Sequence, residues 1–328
     1  MNGAKSGLQM MQRLAVAALL AATPNVAFAQ SSYPNRPIKV VLPYAAGGLV
    51  DVLARLVTEK LGISWRQPVI IEARPGASGN LGAETVSRAD PDGYTLLVTP
   101  PPPLAINQHL YPKLGFDPLA LVPATVIASA PNVLVVRPDL PVSSVQDLIA
   151  FAKANPDKLS YASTGSGGTP HLTAEMLKAA TGTRIVHVPY RGMPPAFVDL
   201  LAGHVDMMFA NLGDSLPHIR SGRLKVLGVG SRMRLPVLPD VPAISEVLPG
   251  FVSDTWYAIV APPKTPSEIP QRISTAVAEA LKLPDVAKRL QELSVTPVGT
   301  SPAETAEFIR QDSERWRQVI VSAGIKPE

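Results

Sequence analysis

The sequence predicts an α/β protein large enough for two domains, built on parallel sheets covered by helices. Three observations carry this. Short β-branched runs alternate with amphipathic helical stretches, the pattern of parallel strands joined by helices. The 328 residues are too many for one small domain. A hydrophobic share of 46% against 17% charged supplies a sizeable core and excludes global disorder.

The chain opens with an address. Residues 1–29 read as a cleavable signal peptide: Lys5 and Arg13 make a positive start, Leu14–Ala22 is an uncharged apolar run, and Thr23 and Pro24 break it. Ala27-Phe28-Ala29 then gives the small-x-small pattern of a signal-peptidase site. Nine apolar residues cannot span a bilayer, which needs about 20. The mature chain is expected to start at Gln30 and to work in the periplasm, with 28 basic against 26 acidic residues. Cysteine is absent, which excludes disulfides, thiolate catalysis, thiolate metal ligands and lipid anchoring after the apolar run. The near-balanced charge and the 5% aromatic share argue against nucleic acid as a partner.

Along the mature chain, Ile38–Pro43 reads as a strand, followed by a glycine-containing loop. A helix then runs from about Val50 to Leu61, with Leu53, Leu56, Val57 and Leu61 at helical spacing. Further strands are expected at 69–71, 95–98, 160–162, 185–188, 207–209 and 226–229, most of them separated by helices. Ser143-x-x-Gln146, Thr265-Pro266-Ser267-Glu268 and Ser301-Pro302-Ala303-Glu304 have the spacing of capping boxes, the last two with proline at the first helical position. The final helix is expected from Pro302 to about Ala323. Gly203 and Gly222 read as helix stops. The 35 prolines, about twice the usual 5% share, are scattered between apolar segments and mark element boundaries. Two apolar runs, Leu121–Val136 and Trp256–Ala261, are candidates for strands passing between two domains. Composition alone does not force that arrangement.

Three glycine-bearing loops can hold a ligand: Pro43–Asp51, Pro75–Gly82 and Ser163–His171. The first and third lead from a strand into a helix. Free N–H groups and the positive end of the helix dipole make such a place receptive to an anion. Each loop taken alone reads first as a structural turn. Two of one kind in separate halves of the chain, facing across a cleft, would clamp one small anion.

Enzymatic patterns fail. Gly165-Ser166-Gly167-Gly168 has Pro170 where a dinucleotide fingerprint needs its third glycine, and no Walker lysine follows. Ser166 lacks the G-x-S-x-G context of a nucleophile elbow. The five histidines show no metal-ligand spacing. No catalytic residue, metal or cofactor is therefore expected. His171 can donate to a ligand or cap its own helix. Arg191 can pair with a carboxylate bidentately or serve as an ordinary exposed arginine. Asp51 and Asp206 fit a role in holding loops, and Trp256 fits either core or crossover.

The loops also carry a family resemblance. Tyr33-Pro34-x-Arg36-Pro37-Ile38, Pro43-Tyr44-x-x-Gly47-Gly48-x-x-Asp51, Pro75-Gly76-Ala77-x-Gly79-Asn80-Leu81-Gly82-Ala83 and Pro91-Asp92-Gly93-Tyr94-Thr95-Leu96 come in this order. Ala105-Ile106-Asn107, Tyr161-Ala162-Ser163-x-Gly165-x-Gly167, His171-Leu172, Val188-Pro189-Tyr190-Arg191-Gly192 and Leu216-Pro217-His218-Ile219 follow. Leu238-Pro239-Asp240-Val241-Pro242 and Trp256-Tyr257 complete the set. Together they resemble the Bug, or TctC-like, periplasmic receptors of tripartite tricarboxylate transporters over essentially the whole mature chain.

The resemblance implies a two-lobed flytrap. Each lobe is a mainly parallel sheet flanked by helices, and crossing strands join the two. It implies one lobe from residues 30–130 plus 254–328, a second from 131–253, and no catalysis. It implies that the loops Tyr44-Ala45-Ala46-Gly47-Gly48 and Ser163–Thr169 grip a ligand carboxylate through N–H groups, hydroxyls and water, with Ser163, Thr164, Gly167 and Thr169 in the second loop. His171, Arg191 and Asn211 complete the expected ligand-binding set. The expected partners are a small organic carboxylate and the membrane permease subunits of a tripartite tricarboxylate-type transporter, the receptor acting as a monomer. A sensor docking on a signalling protein is the alternative, and a secreted α/β hydrolase the more distant one. The sequence departs from the family's usual pattern at Pro100–Pro103, Gly168, Pro170 and Ala210. Prolines remove donors, and the acid often met at the position of Ala210 is gone. These changes favour a carboxylate with an apolar or aromatic body over an amino acid.

Overall fold

The computed structural model describes residues 33–326, so the expected signal peptide lies outside the described residues. All the elements lie in Arg36–Glu328, one compact unit by itself.

Among the described residues, ten strands pair into one curled sheet in two halves. In the first half, β1 (Ile38–Leu42) lies parallel between β2 (Val69–Ala73) and β3 (Thr95–Thr99). In the second, β5 (Ser160–Ser163) lies parallel between β6 (Val186–Pro189) and β7 (Met207–Asn211). Two antiparallel strands join the halves: β4 (Val122–Val136) and β9 (Asp254–Ala261). β4 pairs with β9 from Val122 to Pro131, then with β7 from Asn132 to Val136 and with β8 (Lys225–Val229) from Val133 on. The short β10 (Thr296–Pro297) pairs with Ser129 and Ala128 of β4.

Nine helices cover these strands among the described residues: α1 (Leu49–Trp65), α2 (Asn80–Ser87), α3 (Val145–Ala154), α4 (Thr169–Thr181) and α5 (Met193–Ala202), then α6 (Leu212–Arg220), α7 (Glu268–Leu281), α8 (Pro284–Glu292) and α9 (Pro302–Ala323). Strand periodicity explains the apolar runs. Successive side chains alternate faces, so a sheet covered on both sides reads as continuously hydrophobic. On β4, Leu134 and Val136 enter one core with Tyr161 and Phe209. Val133 and Val135 enter the opposite one with Met208 and Ala210. On β9, Trp256 packs with Val41, Leu97 and Val126 in the core of the first half. Its indole N–H donates to Asp312 of α9 at 2.8 Å.

Helix starts follow local chemistry. Ser301 and Glu304 form the expected capping box, with Pro302 first in α9. Two expected starts move. Ser144, one residue later than expected, caps α3 by accepting the Asp147 N–H, because the Ser143 hydroxyl is occupied by the Asp147 carboxylate. Thr265 makes no capping box. Its hydroxyl donates to the Pro262 carbonyl, and α7 begins at Glu268. Gly203 and Gly222 end α5 and α6 with positive φ of 78° and 70°.

Candidate functional site

Four helices begin around one cavity. Gly48, Leu49 and Val50 bring the head of α1, Thr169 and Pro170 that of α4, Met193 that of α5, and Asn211 that of α6. Tyr44, Ala45 and Thr164 come from the preceding loops. Pro100, Pro102, Thr255 and Tyr257 complete the wall of a cavity of about 40 Å³. Thr255 and Tyr257 are alternate residues of β9, on the face opposite Trp256.

The halves touch around this cavity. The Ala45 N–H donates to the Arg191 carbonyl at 3.2 Å, and Tyr111 Oη donates to the Ser166 carbonyl at 2.7 Å. Tyr44 Oη and Asn107 Nδ2 each donate to the Ser78 carbonyl at 3.1 Å. Ala77 and Ser78 both hold left-handed φ values, 47° and 50°, a strained conformation for residues with a Cβ and one that gathers at ligand sites.

Electrostatically the cavity is a field of helix ends. No lysine, arginine, aspartate or glutamate lines it among the described residues. Its polar atoms are hydroxyls and one carboxamide. Two of them, Thr169 Oγ1 and Asn211 Oδ1, are buried with no hydrogen-bond partner. Helix N-termini and unpaired hydroxyls together suit an oxyanion. Burial pushes the phenols of Tyr44 and Tyr257 above their usual range, so both stay neutral donors. Behind Asn211, the carboxyl of Asp214 is pushed up to about 6 by burial, while Asn211 and the Leu49 N–H favour its charged form.

Of the expected ligand-binding residues, the cavity brings together Tyr44, Ala45, Gly48, Thr164, Thr169 and Asn211. Arg191 lies in an adjoining cavity of about 340 Å³ that shares Tyr44 and Thr164 and includes Ser78. Five others are elsewhere, each for a local reason. Ala46 is exposed and lines neither cavity. The Gly47 N–H is taken by Asp51 Oδ2 at 2.9 Å. The Gly167 N–H is taken by His171 Nδ1 at 3.0 Å. Ser163 Oγ is 2.6 Å from His187 Nε2 and accepts the Gly165 N–H. His171 is 2% exposed and stacks on His187 with centroids 4.3 Å apart. It lines neither cavity, and its Nδ1 braces the loop by accepting the Gly167 N–H. Burial, then His187 and Lys178, lower its pKa to about 3, so the ring is neutral. Sequence reasoning did not include Leu49, Val50, Met193, Thr255 and Tyr257. The small residues at a helix head could have pointed to Leu49 and Val50, and the alternation along β9 to Thr255 and Tyr257.

Two sheet halves joined by antiparallel strands, with helix N-termini around a cavity between them, define the two-lobed solute-binding receptors. The family model for the tripartite tricarboxylate transporter family receptor, TctC, matches residues 53–325, and the chain belongs to that family. It is 36% identical to Protein BugT of Bordetella pertussis over 324 residues, 97% of this chain and 99% of the relative. Among solved structures it resembles R. palustris Rpa4515 with adipate at TM-score 0.87 and 36% identity, over 90% of this chain and all of the other. It also resembles MatC from Rhodopseudomonas palustris with bound malate at TM-score 0.84 and 32% identity, over 88% of this chain and all of the other. The family's members are periplasmic solute-binding receptors and not enzymes. No helix among the described residues is long and apolar enough to cross a membrane.

Proposed function

We propose that this receptor captures a small organic carboxylate in the cavity at the four helix heads and presents it to the membrane permease subunits of a tripartite tricarboxylate-type transporter. One observation carries the reading: helix N-termini converge on a cavity that, among the described residues, no charged side chain lines, with the Thr169 hydroxyl buried and unpartnered within it. The adipate and malate held by the similar structures support the same chemistry. Thr164 and Thr169 at the head of α4 donate to one carboxylate. Pro100, Pro102, Pro170 and Met193 offer carbon surface to the rest of the molecule.

In this reading the lobes are 30–130 plus 254–328 and 131–253, hinged where β4 exchanges β9 for β7 between Pro131 and Asn132. Closure brings the Arg191 carbonyl to the Ala45 N–H and Met193 against Gly48. Residues 1–29 direct export and are removed.

A thermal-shift screen of residues 30–328 tests the proposal with aliphatic diacids, aromatic acids, hydroxy acids and amino acids, each beside its amide. A ligand at about 100 times its Kd adds about 2.7 kcal/mol of stability. A shift given by an acid and lost with its amide is expected. Equal shifts with acid and amide would overturn the reading, as would silence from every carboxylate on protein shown by mass spectrometry to carry no ligand.

A further inference from the structure

Asn211 ends β7 and precedes α6, and it is 5% exposed. Its Nδ2 faces Asp214 Oδ2 at 3.4 Å, and its amide also meets the Tyr257 hydroxyl. The Asp214 contact orients the amide, since turning it over would set oxygen against carboxylate. Oδ1 is thereby left as a buried acceptor without a partner, on a residue that lines the cavity. A buried acceptor in that state is unfavourable until a donor arrives.

Resting on the carboxylate reading above, we propose that Asn211, held by Asp214, recognises a hydroxyl on the ligand, so that the preferred solute is a hydroxy-carboxylate. The cavity's two unpartnered groups differ in kind. At the head of α4 the unpartnered group is the Thr169 hydroxyl, which can donate to a carboxylate. At the head of α6 the unpartnered atom is an amide oxygen, which can only accept. A second carboxylate placed there would set acceptor against acceptor, with the Asp214 carboxyl behind it. The α1 head offers no refuge, because the Leu49 N–H already faces Asp214. A hydroxyl satisfies Asn211 Oδ1 and adds no charge. An ammonium is less suited, because Asn211 and not Asp214 lines the cavity.

The test is isothermal titration of residues 30–328 with matched probes. These are butyrate and hexanoate, their 2-, 3- and terminal hydroxy forms, succinate, adipate and 4-aminobutyrate. At least one hydroxy acid is expected to bind about tenfold or more tighter than its parent acid and than the matching diacid. In Asn211→Ala the hydroxyl preference is expected to fall to about one. In Asp214→Asn the amide is free to turn, and the preference over the diacid is expected to shrink. Parent acid or diacid binding as tightly as every hydroxy form in the unmutated protein would overturn the inference and leave the carboxylate reading standing. So would tightest binding of 4-aminobutyrate, or a hydroxyl preference unchanged in both variants. Binding of no carboxylate at all would remove both.

Discussion

The neutral histidine beneath the second loop ties fold stability to pH, and His171→Gln isolates its part. His171 Nδ1 accepts the Gly167 N–H, so a proton added to the ring would face a donor and break the brace. Burial, then His187 and Lys178, hold its folded pKa to about 3, against 6.5 for a free histidine. Between these values the unfolded chain binds a proton that the folded chain refuses. Stability from this group is therefore complete above about pH 6.5 and is lost as pH falls toward about 3. Each pH unit in that window costs about 1.4 kcal/mol, so about 2.7 kcal/mol goes between roughly pH 6.5 and 4.5. That is a large part of a typical 5–15 kcal/mol. Asp214 acts with the opposite sign. Its folded pKa is raised from 3.8 to about 6, so protonation across that interval favours the folded chain and partly masks the histidine. Subtracting the variant removes this background. Urea unfolding followed by the three tryptophans, at several pH values from about 7 to 4.5, gives both profiles. The difference in unfolding free energy between unmutated protein and His171→Gln is expected to move by about 2–3 kcal/mol across the range, against the unmutated protein at low pH. Parallel profiles would refute the argument that a buried neutral ring braces this loop.

Three other outcomes are expected. Thr169→Val, which removes the unpartnered hydroxyl and keeps its shape, should weaken carboxylate binding by about 0.5–3 kcal/mol in calorimetry with little change in Tm; unchanged affinity would take the α4 head out of the site. Gly48→Val should fold, since a Cβ there meets Met193 Cβ at an ordinary 3.6 Å, but its branches enter the cavity and should cut affinity about tenfold or more. Circular dichroism checks the first part and titration the second. Asp312→Ala strands the indole N–H groups of Trp256 and Trp316, now 2.8 and 3.1 Å from Oδ2, and should lower stability by about 2–4 kcal/mol in denaturant melts.

The sheet was legible because both of its faces are covered. Runs such as Val133–Val136 and Met207–Ala210 are apolar at every position, as a short strand between two cores uses them. Helix starts were legible to within a residue where the cap is purely local, as at Ser301 with Glu304. They were not where a neighbour competes. Asp147 chooses between two adjacent serines, and the Pro262 carbonyl claims the Thr265 hydroxyl. The site divides along the same line. Both glycine loops were found from spacing, but which of their N–H groups remain free depends on side chains four residues on. Asp51 closes on Gly47, and His171 closes on Gly167. That repeated spacing is a readable signal that a residue in the helix's first turn braces the loop and does not bind. Tyr257, Thr255 and Pro102 reach the cavity from strands and turns far away in sequence, where only the assembled sheet brings them together.

These braces also explain how a cavity lined by no cationic side chain can suit an anion. Backbone donors attract an oxyanion only if they cannot turn away, and a glycine loop left to itself has many conformations. Asp51 fixes the first loop from the first turn of α1, and its own charge is met by Arg55 Nε at 2.9 Å. His171 fixes the second loop while remaining neutral, so it adds no charge to compete with the ligand. The loops are thus held by one paired acid and one uncharged base. The attractive field at the cavity is left to helix ends and hydroxyls, which hold an anion without the tight ion pair that a buried arginine would make. A receptor that must release its solute after each capture needs binding of that kind, free of a contact that would hold the solute in place.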